Sequence, residues 1–90
     1  MVSVKKLVLD VLKPHQPNAL EFSQTLAAVG SDYRVHLTVL EVDENTETLR
    51  VICEGRSLDF DGIQASINKM GGSLHSIDEV EVSNEADTGQ

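Results

Sequence analysis

Four acidic residues are the clearest candidates for metal chemistry in this sequence. Glu41 and Asp43 close one predicted strand, and Asp78 and Glu79 lie within another. Hard cations prefer carboxylate oxygens, so these residues predict a Ca²⁺ or Mg²⁺ site, which two subunits could share. The turn beginning at Asp43 resembles the start of a calcium-binding loop, but it lacks that loop's central glycine and distant glutamate. Solvated acidic edges are the alternative interpretation.

Asp10, His15 and His75 form a second candidate set, which could bind a small ligand or a transition metal. Asp10 interrupts an apolar run, and burying a carboxylate is costly unless it is paired or bound to a cation. A salt bridge to Arg50 or Lys6 would also explain it. His15, in a proline-bounded turn, is better explained by a hydrogen bond within the turn, and His75 is equally well explained by a hydrogen bond to a backbone carbonyl. The sequence contains no strong zinc-binding pattern.

The sequence lacks the motifs of the main catalytic chemistries. No motif places a base beside Ser57, Ser73 or Ser76, and no nucleophile elbow is present. Cys53 continues the apolar alternation of a predicted strand, which indicates a small buried hydrophobe. Asp59 is better explained as a helix cap than as a catalyst. The connection after the first strand is rich in proline, so no glycine-rich phosphate loop follows that strand.

Composition excludes several classes of partner. The formal net charge is -8, from 15 acidic and 7 basic residues, and only 3% of residues are aromatic. Nucleic-acid binding is therefore not expected, because it depends on Lys and Arg contacts to phosphates. No stretch is long and apolar enough to cross a membrane, and no signal peptide begins the chain. With one cysteine and hence no internal disulfide, we expect a cytoplasmic protein.

Hydrophobic periodicity predicts strands and helices in the order βαββαβ. Strands alternate apolar and polar residues, while the helices repeat apolar residues every three or four positions. Asn18 and Asp59 cap the two helices, and Gly30 and Gly71 end them. This order predicts a ferredoxin-like α+β fold, with the first and third strands central in a four-stranded antiparallel sheet and both helices on one face. One domain is expected over residues 1–82, followed by a flexible acidic tail, 83–90. The predicted strands are about 4–12, 34–43, 49–53 and 73–82.

One face of such a sheet carries no helices, and its predicted residues are unusually apolar for a surface exposed to water. We therefore expect a partner on this face or against a neighbouring edge, and a second copy of the chain is the simplest such partner. The predicted face contains Val8, Asp10, Leu12, His36, Thr38, Leu40, Arg50, Ile52 and Glu54.

Several phrases of the sequence resemble the archaeal proteins grouped as domain of unknown function 211. They are residues 9–17, Glu41-Val42-Asp43 with Thr46-Glu47, residues 58–61 and, most specifically, residues 71–80, GGSLHSIDEV. The resemblance covers about residues 4–82. It implies a ferredoxin-like fold assembled into cyclic oligomers and an archaeal origin, and it implies no particular biochemical activity.

Three functional hypotheses follow. The first is a non-enzymatic, ring-forming protein that binds a divalent cation or small ligand as a regulatory module. The second is an enzyme with an acid–base site between subunits, which would use Asp10, His15 or His75. The third is an acidic scaffold that docks a basic protein partner. We favour the first, because it uses both the uncovered sheet face and the clustered carboxylates.

Overall fold

Four strands and two helices follow one another in the predicted order in a computed structural model that describes residues 1–85. Their bounds are β1 Val2–Pro14, α1 Ala19–Ala27, β2 Arg34–Val42, β3 Thr46–Glu54, α2 Phe60–Lys69 and β4 Ser73–Asn84. The sheet is antiparallel throughout, with the strand order β2-β3-β1-β4. This is the ferredoxin-like α+β fold, with β1 and β3 central as predicted. None of the helices in this part of the chain is long and apolar enough to span a membrane.

The outer strand β4 is longer than the sequence pattern predicted. It continues to Asn84, where Ser83 pairs with Ser3 and Asn84 pairs with Val2. The backbone N–H of Glu85 then donates to the carbonyl of Met1 at 2.9 Å. The first residues of the predicted flexible tail, 83–90, are therefore part of the sheet. The rest of that predicted tail, residues 86–90, lies outside the described residues.

Capping side chains fix where both helices begin. The Asn18 side chain accepts a hydrogen bond from the backbone N–H of Glu21 at 2.9 Å, and Asp59 accepts one from Gly62 at 3.1 Å. Each bond satisfies an N–H that has no partner within the first turn of a helix, which confirms both predicted caps. After α2, Gly71 has the positive φ of 85° that glycine adopts without strain.

The core lies between the helices and one face of the sheet. Alternation along β1 and β3 turns every second side chain toward the helices, so apolar residues at that spacing are buried together. The fully buried members include Leu9, Val11, Phe22, Leu26, Leu49, Val51, Cys53, Ile63 and Ile67.

The strand register tests the predicted uncovered face. One row of paired residues across the sheet contains His36, Ile52, Val8 and Glu79. Directly paired residues share a face, so the first three lie together on one face as predicted. Leu40 is the exception to the prediction, because it lies at a register shift and Glu41 pairs with Thr48 in its place.

The uncovered face shows less apolar surface than expected, because Val8 is only 9% exposed and Ile52 and Leu12 are partly buried. The larger exposed apolar side chains lie instead on the two outer strands. On β2 they are Val39, Leu40 and Val42, and on β4 they are Ile77, Val80 and Val82.

Candidate functional site around Lys13, Glu47 and His15

A fully buried lysine stands at the end of β1. Lys13 continues the alternation of Leu7, Leu9 and Val11 and therefore lies on the core side of the sheet, where it is 0% exposed. Its ammonium lies 2.8 Å from Oε1 of Glu47, the residue paired with it on β3. A buried charge of this kind is stable only when it is paired and hydrogen-bonded.

The Lys13 ammonium also binds the loop that leads into α1. It donates to the carbonyl oxygens of Pro14 and Pro17, each at 2.9 Å, and lies 3.5 Å from that of His15. An ammonium group has three N–H donors, and the three shorter contacts account for all of them. Lys13 therefore ties the loop to the sheet and has no donor left for a substrate.

Glu47 joins Lys13 to a predicted site residue. Its second oxygen, Oε2, lies 3.0 Å from Nδ1 of His15, and Nε2 of His15 lies 2.9 Å from the carbonyl of Glu44. A carbonyl can only accept a hydrogen bond, and so can an ionised carboxylate. Both ring nitrogens of His15 therefore carry protons when both bonds form, which is the imidazolium state.

These contacts shift two pKa values in opposite directions. The hydrogen bond to Glu47, followed by that to the Glu44 carbonyl, raises the pKa of His15 above 6.5. The hydrogen bonds from Lys13 and then His15 lower the pKa of Glu47 below 4.5. The cluster thus holds one carboxylate beside an ammonium and an imidazole, and it favours the charged forms of Glu47 and His15.

The stability that this cluster contributes should be greatest between about pH 4.5 and 6.5. Glu47 has a lowered folded-state pKa, so its contribution is complete above 4.5 and is lost as the pH falls through that lower value. His15 has a raised folded-state pKa, so its contribution is complete below 6.5 and is lost as the pH rises through the raised value. The difference in melting temperature between the parent and His15→Gln should therefore be largest near pH 5.5 and shrink above pH 7. His75→Gln, which changes an exposed histidine, is the control, and a pH-independent difference for His15→Gln would contradict the assignment.

The three predicted ligand residues are not brought together in one chain. His15 is bound to Glu47 and Glu44, while Asp10 is partly buried on the uncovered sheet face, opposite Arg50. His75 is exposed on β4 at a register shift. Asp10 forms no ion pair within residues 1–85, either with Arg50 opposite it or with Lys6, which pairs with Glu79. The salt bridge considered as an alternative for Asp10 is therefore not formed in this structure.

The four predicted metal ligands lie on opposite edges of the sheet. Glu41 and Asp43 are at the end of β2, and Asp78 and Glu79 are on β4. Three strand spacings, roughly 14 Å, separate these edges. Within residues 1–85, no group of three or more potential ligands is placed to hold a metal ion. A site that used both acidic pairs would therefore need two chains.

Two of these acids already have partners. Asp78 accepts a hydrogen bond from the Ser76 hydroxyl at 2.7 Å. Glu79 lies 3.1 Å from the Lys6 ammonium, and this hydrogen bond raises the pKa of Lys6. A cation that used Glu79 would have to compete with Lys6.

Cys53 is not available as a nucleophile. It is buried in the core, and desolvation of the thiolate raises its pKa to about 11. A thiol with such a pKa stays protonated at neutral pH, and the protonated form is a poor nucleophile. The prediction of a small buried hydrophobe is confirmed.

A depression of about 310 Å³ lies at the opposite end of the sheet from the Lys13 cluster. Asp32 accepts hydrogen bonds there from the backbone N–H of Arg56 at 3.0 Å and from its Nε at 3.2 Å, which lower the pKa of Asp32. Two cationic and two acidic side chains balance one another, so the depression has no marked preference for an anion. The lining residues are Asp32, Arg34, Glu54, Gly55 and Arg56.

The sequence pattern identified His15 as a candidate but did not identify Lys13 and Glu47, the other two members of its cluster. Lys13 occupies a core position of an otherwise apolar alternation, which was the available signal. Glu47 was noted only in a segment that resembles the family, because its role depends on pairing with Lys13 across the sheet.

Two comparisons with known proteins agree with the resemblance noted from the sequence. The sequence model of the family described as DUF211, uncharacterized ArCR, matches residues 5–86. An uncharacterized protein of Methanocaldococcus jannaschii is 44% identical over 80 residues, which are 89% of this chain and 82% of that protein.

Proposed function

This chain belongs to the DUF211 family, and from that premise we propose that it is a non-enzymatic protein that assembles with copies of itself into a ring. The observation that carries the proposal is the exposed apolar surface on both outer strands. Val42 on β2 is 64% exposed, and Val80 on β4 is 56% exposed. Clustered apolar surface of this kind is typical of protein interfaces.

A ring follows from the difference between the two surfaces. The apolar residues of β2 and of β4 lie on opposite edges of the sheet. Contact between two different surfaces of identical chains is heterologous, and a heterologous contact that closes gives a cyclic assembly. Each subunit would use both edges, so that neither outer strand would lack a partner strand.

The Lys13 cluster supports a structural role rather than catalysis. The N–H donors of Lys13 bind two loop carbonyls and Glu47, and the oxygens of Glu47 bind Lys13 and His15. Both nitrogens of His15 are also occupied. A general acid or base must reach its substrate by a hydrogen bond, and these groups use theirs within the protein.

We further propose that the ring is cytoplasmic and binds Ca²⁺ or Mg²⁺ between subunits, as a regulatory module. Support for this comes from the positions of the acidic pairs, Glu41 with Asp43 and Asp78 with Glu79, on the two edges that a ring would join. Oxygen ligands from two chains would complete a coordination shell that neither edge supplies alone.

The mass of the purified protein, measured by sedimentation with EDTA and then with calcium or magnesium, tests the assembly. A multimer supports the proposal, and a monomer at every concentration contradicts it. A multimer that is stable in EDTA and unaffected by either cation would contradict the metal site alone. That result would favour an acidic scaffold for a basic protein, in keeping with the net charge of -8.

Calcium at saturating concentration should raise the melting temperature by at least about 5 °C, since it binds the folded assembly and not the unfolded chain. The double variant Asp43→Ala/Asp78→Ala should abolish this rise, because it removes one ligand from each edge. Asp61→Ala, which removes an exposed carboxylate from the first turn of α2, is the control and should respond as the parent does. An unchanged response of the double variant would show that the cation binds elsewhere.

A further inference from the structure

Within residues 1–85, the outer strands β2 and β4 each have one backbone edge without a neighbouring strand in the sheet order β2-β3-β1-β4. Such edges carry rows of N–H and C=O groups that can pair with another strand. On β2, the pairing with β3 is regular over residues 34–39. On β4, the register shift within residues 79–84 comes from an extra residue on β1, between Val4 and Lys6, so β4 itself continues without an insertion. Each edge therefore offers a regular segment of six residues.

The strand directions allow these two segments to pair between copies. Every neighbouring pair in the sheet is antiparallel, so β2 runs in the direction of β1 and β4 runs against it. When two copies stand side by side in the same orientation, β4 of one runs antiparallel to β2 of the next. The helices of both copies then remain on the same side of a continuous sheet.

We propose that the subunits join by antiparallel pairing of residues 79–83 of β4 with residues 34–38 of β2 in the next copy. This inference rests on the proposed homo-oligomer and names the surfaces that form it. The occupant of each edge is thus a second copy of this chain.

The apolar side chains of the two segments match on the helix side of the sheet. Val80 pairs with Leu7 and Val82 with Val4, so both point toward that side, where they are 56% and 52% exposed. Val35 and Leu37 of β2 lie on the same side, because they pair with Cys53 and Val51 of β3. Pairing the segments would bury these residues against one another.

On the uncovered face of the sheet, the acidic side chains of β4 are complementary to the basic side chains of β2. Glu79 and Glu81 pair with Val8 and Lys6 and so lie on the uncovered face. Arg34 and His36 of β2 lie on that face too, opposite Glu54 and Ile52. Neither Arg34 nor Glu81 forms an ion pair among residues 1–85. A register with Val82 opposite Val35 and Val80 opposite Leu37 keeps the apolar residues together. The same register places Glu81 opposite His36 and diagonally next to Arg34.

The acidic residues of β4 disfavour pairing between two β4 edges. A β4–β4 contact about Val80 would place Glu79 of each copy opposite Glu81 of the other. Like charges opposite one another destabilise strand pairs. The acidic residues of β4 therefore favour the heterologous contact that a ring requires over this one.

A charge exchange tests this interface in the full-length protein. Arg34→Glu and Glu81→Arg should each raise the subunit dissociation constant at least about tenfold, because each creates a like-charge contact. The double variant Arg34→Glu/Glu81→Arg should restore it to within about threefold of the parent. Lys69→Glu, a charge reversal at an exposed position of α2, is the control and should leave it unchanged. Sedimentation velocity across a concentration series measures all five proteins.

The possible outcomes distinguish a failure of the β4–β2 interface from a failure of the homo-oligomer itself. A parent that is monomeric at every concentration would contradict the homo-oligomer itself. A multimeric parent whose dissociation constant is unchanged in all the charge variants would overturn the β4–β2 interface and leave the oligomer standing. Dissociation by Ile52→Glu, on the central strand β3, without any effect of the charge variants would assign the interface to the uncovered sheet face instead. Restoration by the double variant would establish the pairing.

Discussion

Lys13→Met is expected to lower the free energy of unfolding by about 3 kcal/mol. Methionine fills the volume of the lysine stem, but it leaves the Glu47 carboxylate without its closest cation, at 2.8 Å. It also leaves the carbonyls of Pro14 and Pro17 without the donor that each has at 2.9 Å. Unfolding in urea at pH 5.5, where His15 is charged, measures the loss.

A matched lysine shows whether burial causes this effect. Lys69→Met changes an exposed lysine at the end of α2 and should alter the free energy of unfolding by less than about 0.5 kcal/mol. Lys13→Met combined with Glu47→Leu should cost less than the sum of the two single changes, since the double variant leaves no unpaired partner in this ion pair. If Lys13→Met and Lys69→Met cost the same, Lys13 does not stabilise the loop.

The strands and helix starts were predictable because their causes are local. Alternation along a strand and a capping side chain three residues from its target are both visible in the sequence, and Asn18 and Asp59 cap as expected. The order of elements then limits the topology, because crossover connections are right-handed. These features do not depend on contacts between distant residues.

The Lys13 cluster was not predictable in the same way. A lysine is usually exposed, and the partner that stabilises this one is 34 residues away on β3. Its other partners are loop carbonyls, whose positions depend on the path of the chain after β1. The alternation placed Lys13 at a core position, but it could not show what would neutralise the charge there.

A register shift explains why Leu40 does not lie on the uncovered face of the sheet as predicted. A side chain's face was inferred from strict alternation, which fails wherever one strand has an extra residue. At such a shift Glu41, and not Leu40, is the residue that pairs with Thr48. On β4, Asp78 and His75 lie at two further shifts. These candidate site residues therefore lie at irregularities that the sequence pattern did not reveal.

Gly30 illustrates a residue that was correctly selected for the wrong reason. The sequence suggested that it ends α1, but α1 ends at Ala27, and Gly71 is the glycine with a positive φ in the described part of the chain. Gly30 instead leaves room for an aromatic ring. A Cβ atom at this position would lie 2.6 Å from Cζ of Tyr33, far inside normal contact.

Gly30→Ala should therefore lower the free energy of unfolding by about 2 kcal/mol. The Tyr33 ring cannot move away freely, because its hydroxyl accepts a hydrogen bond from the backbone N–H of Asp59 at 2.6 Å. Displacing the ring would loosen the start of α2, where Asp59 is the capping residue. Urea unfolding of the parent and variant measures the change.

Gly30→Ala should no longer lower the free energy of unfolding when the Tyr33 ring is absent. In a Tyr33→Ala background the added methyl has space, and alanine at a position without positive φ restricts the unfolded chain, so Gly30→Ala should be neutral or stabilising by up to about 1 kcal/mol. Ser31→Ala, a change at the exposed neighbouring residue, should have little effect in either background. An equal loss from Gly30→Ala with and without Tyr33 would mean that the backbone at residue 30, and not the ring, requires glycine.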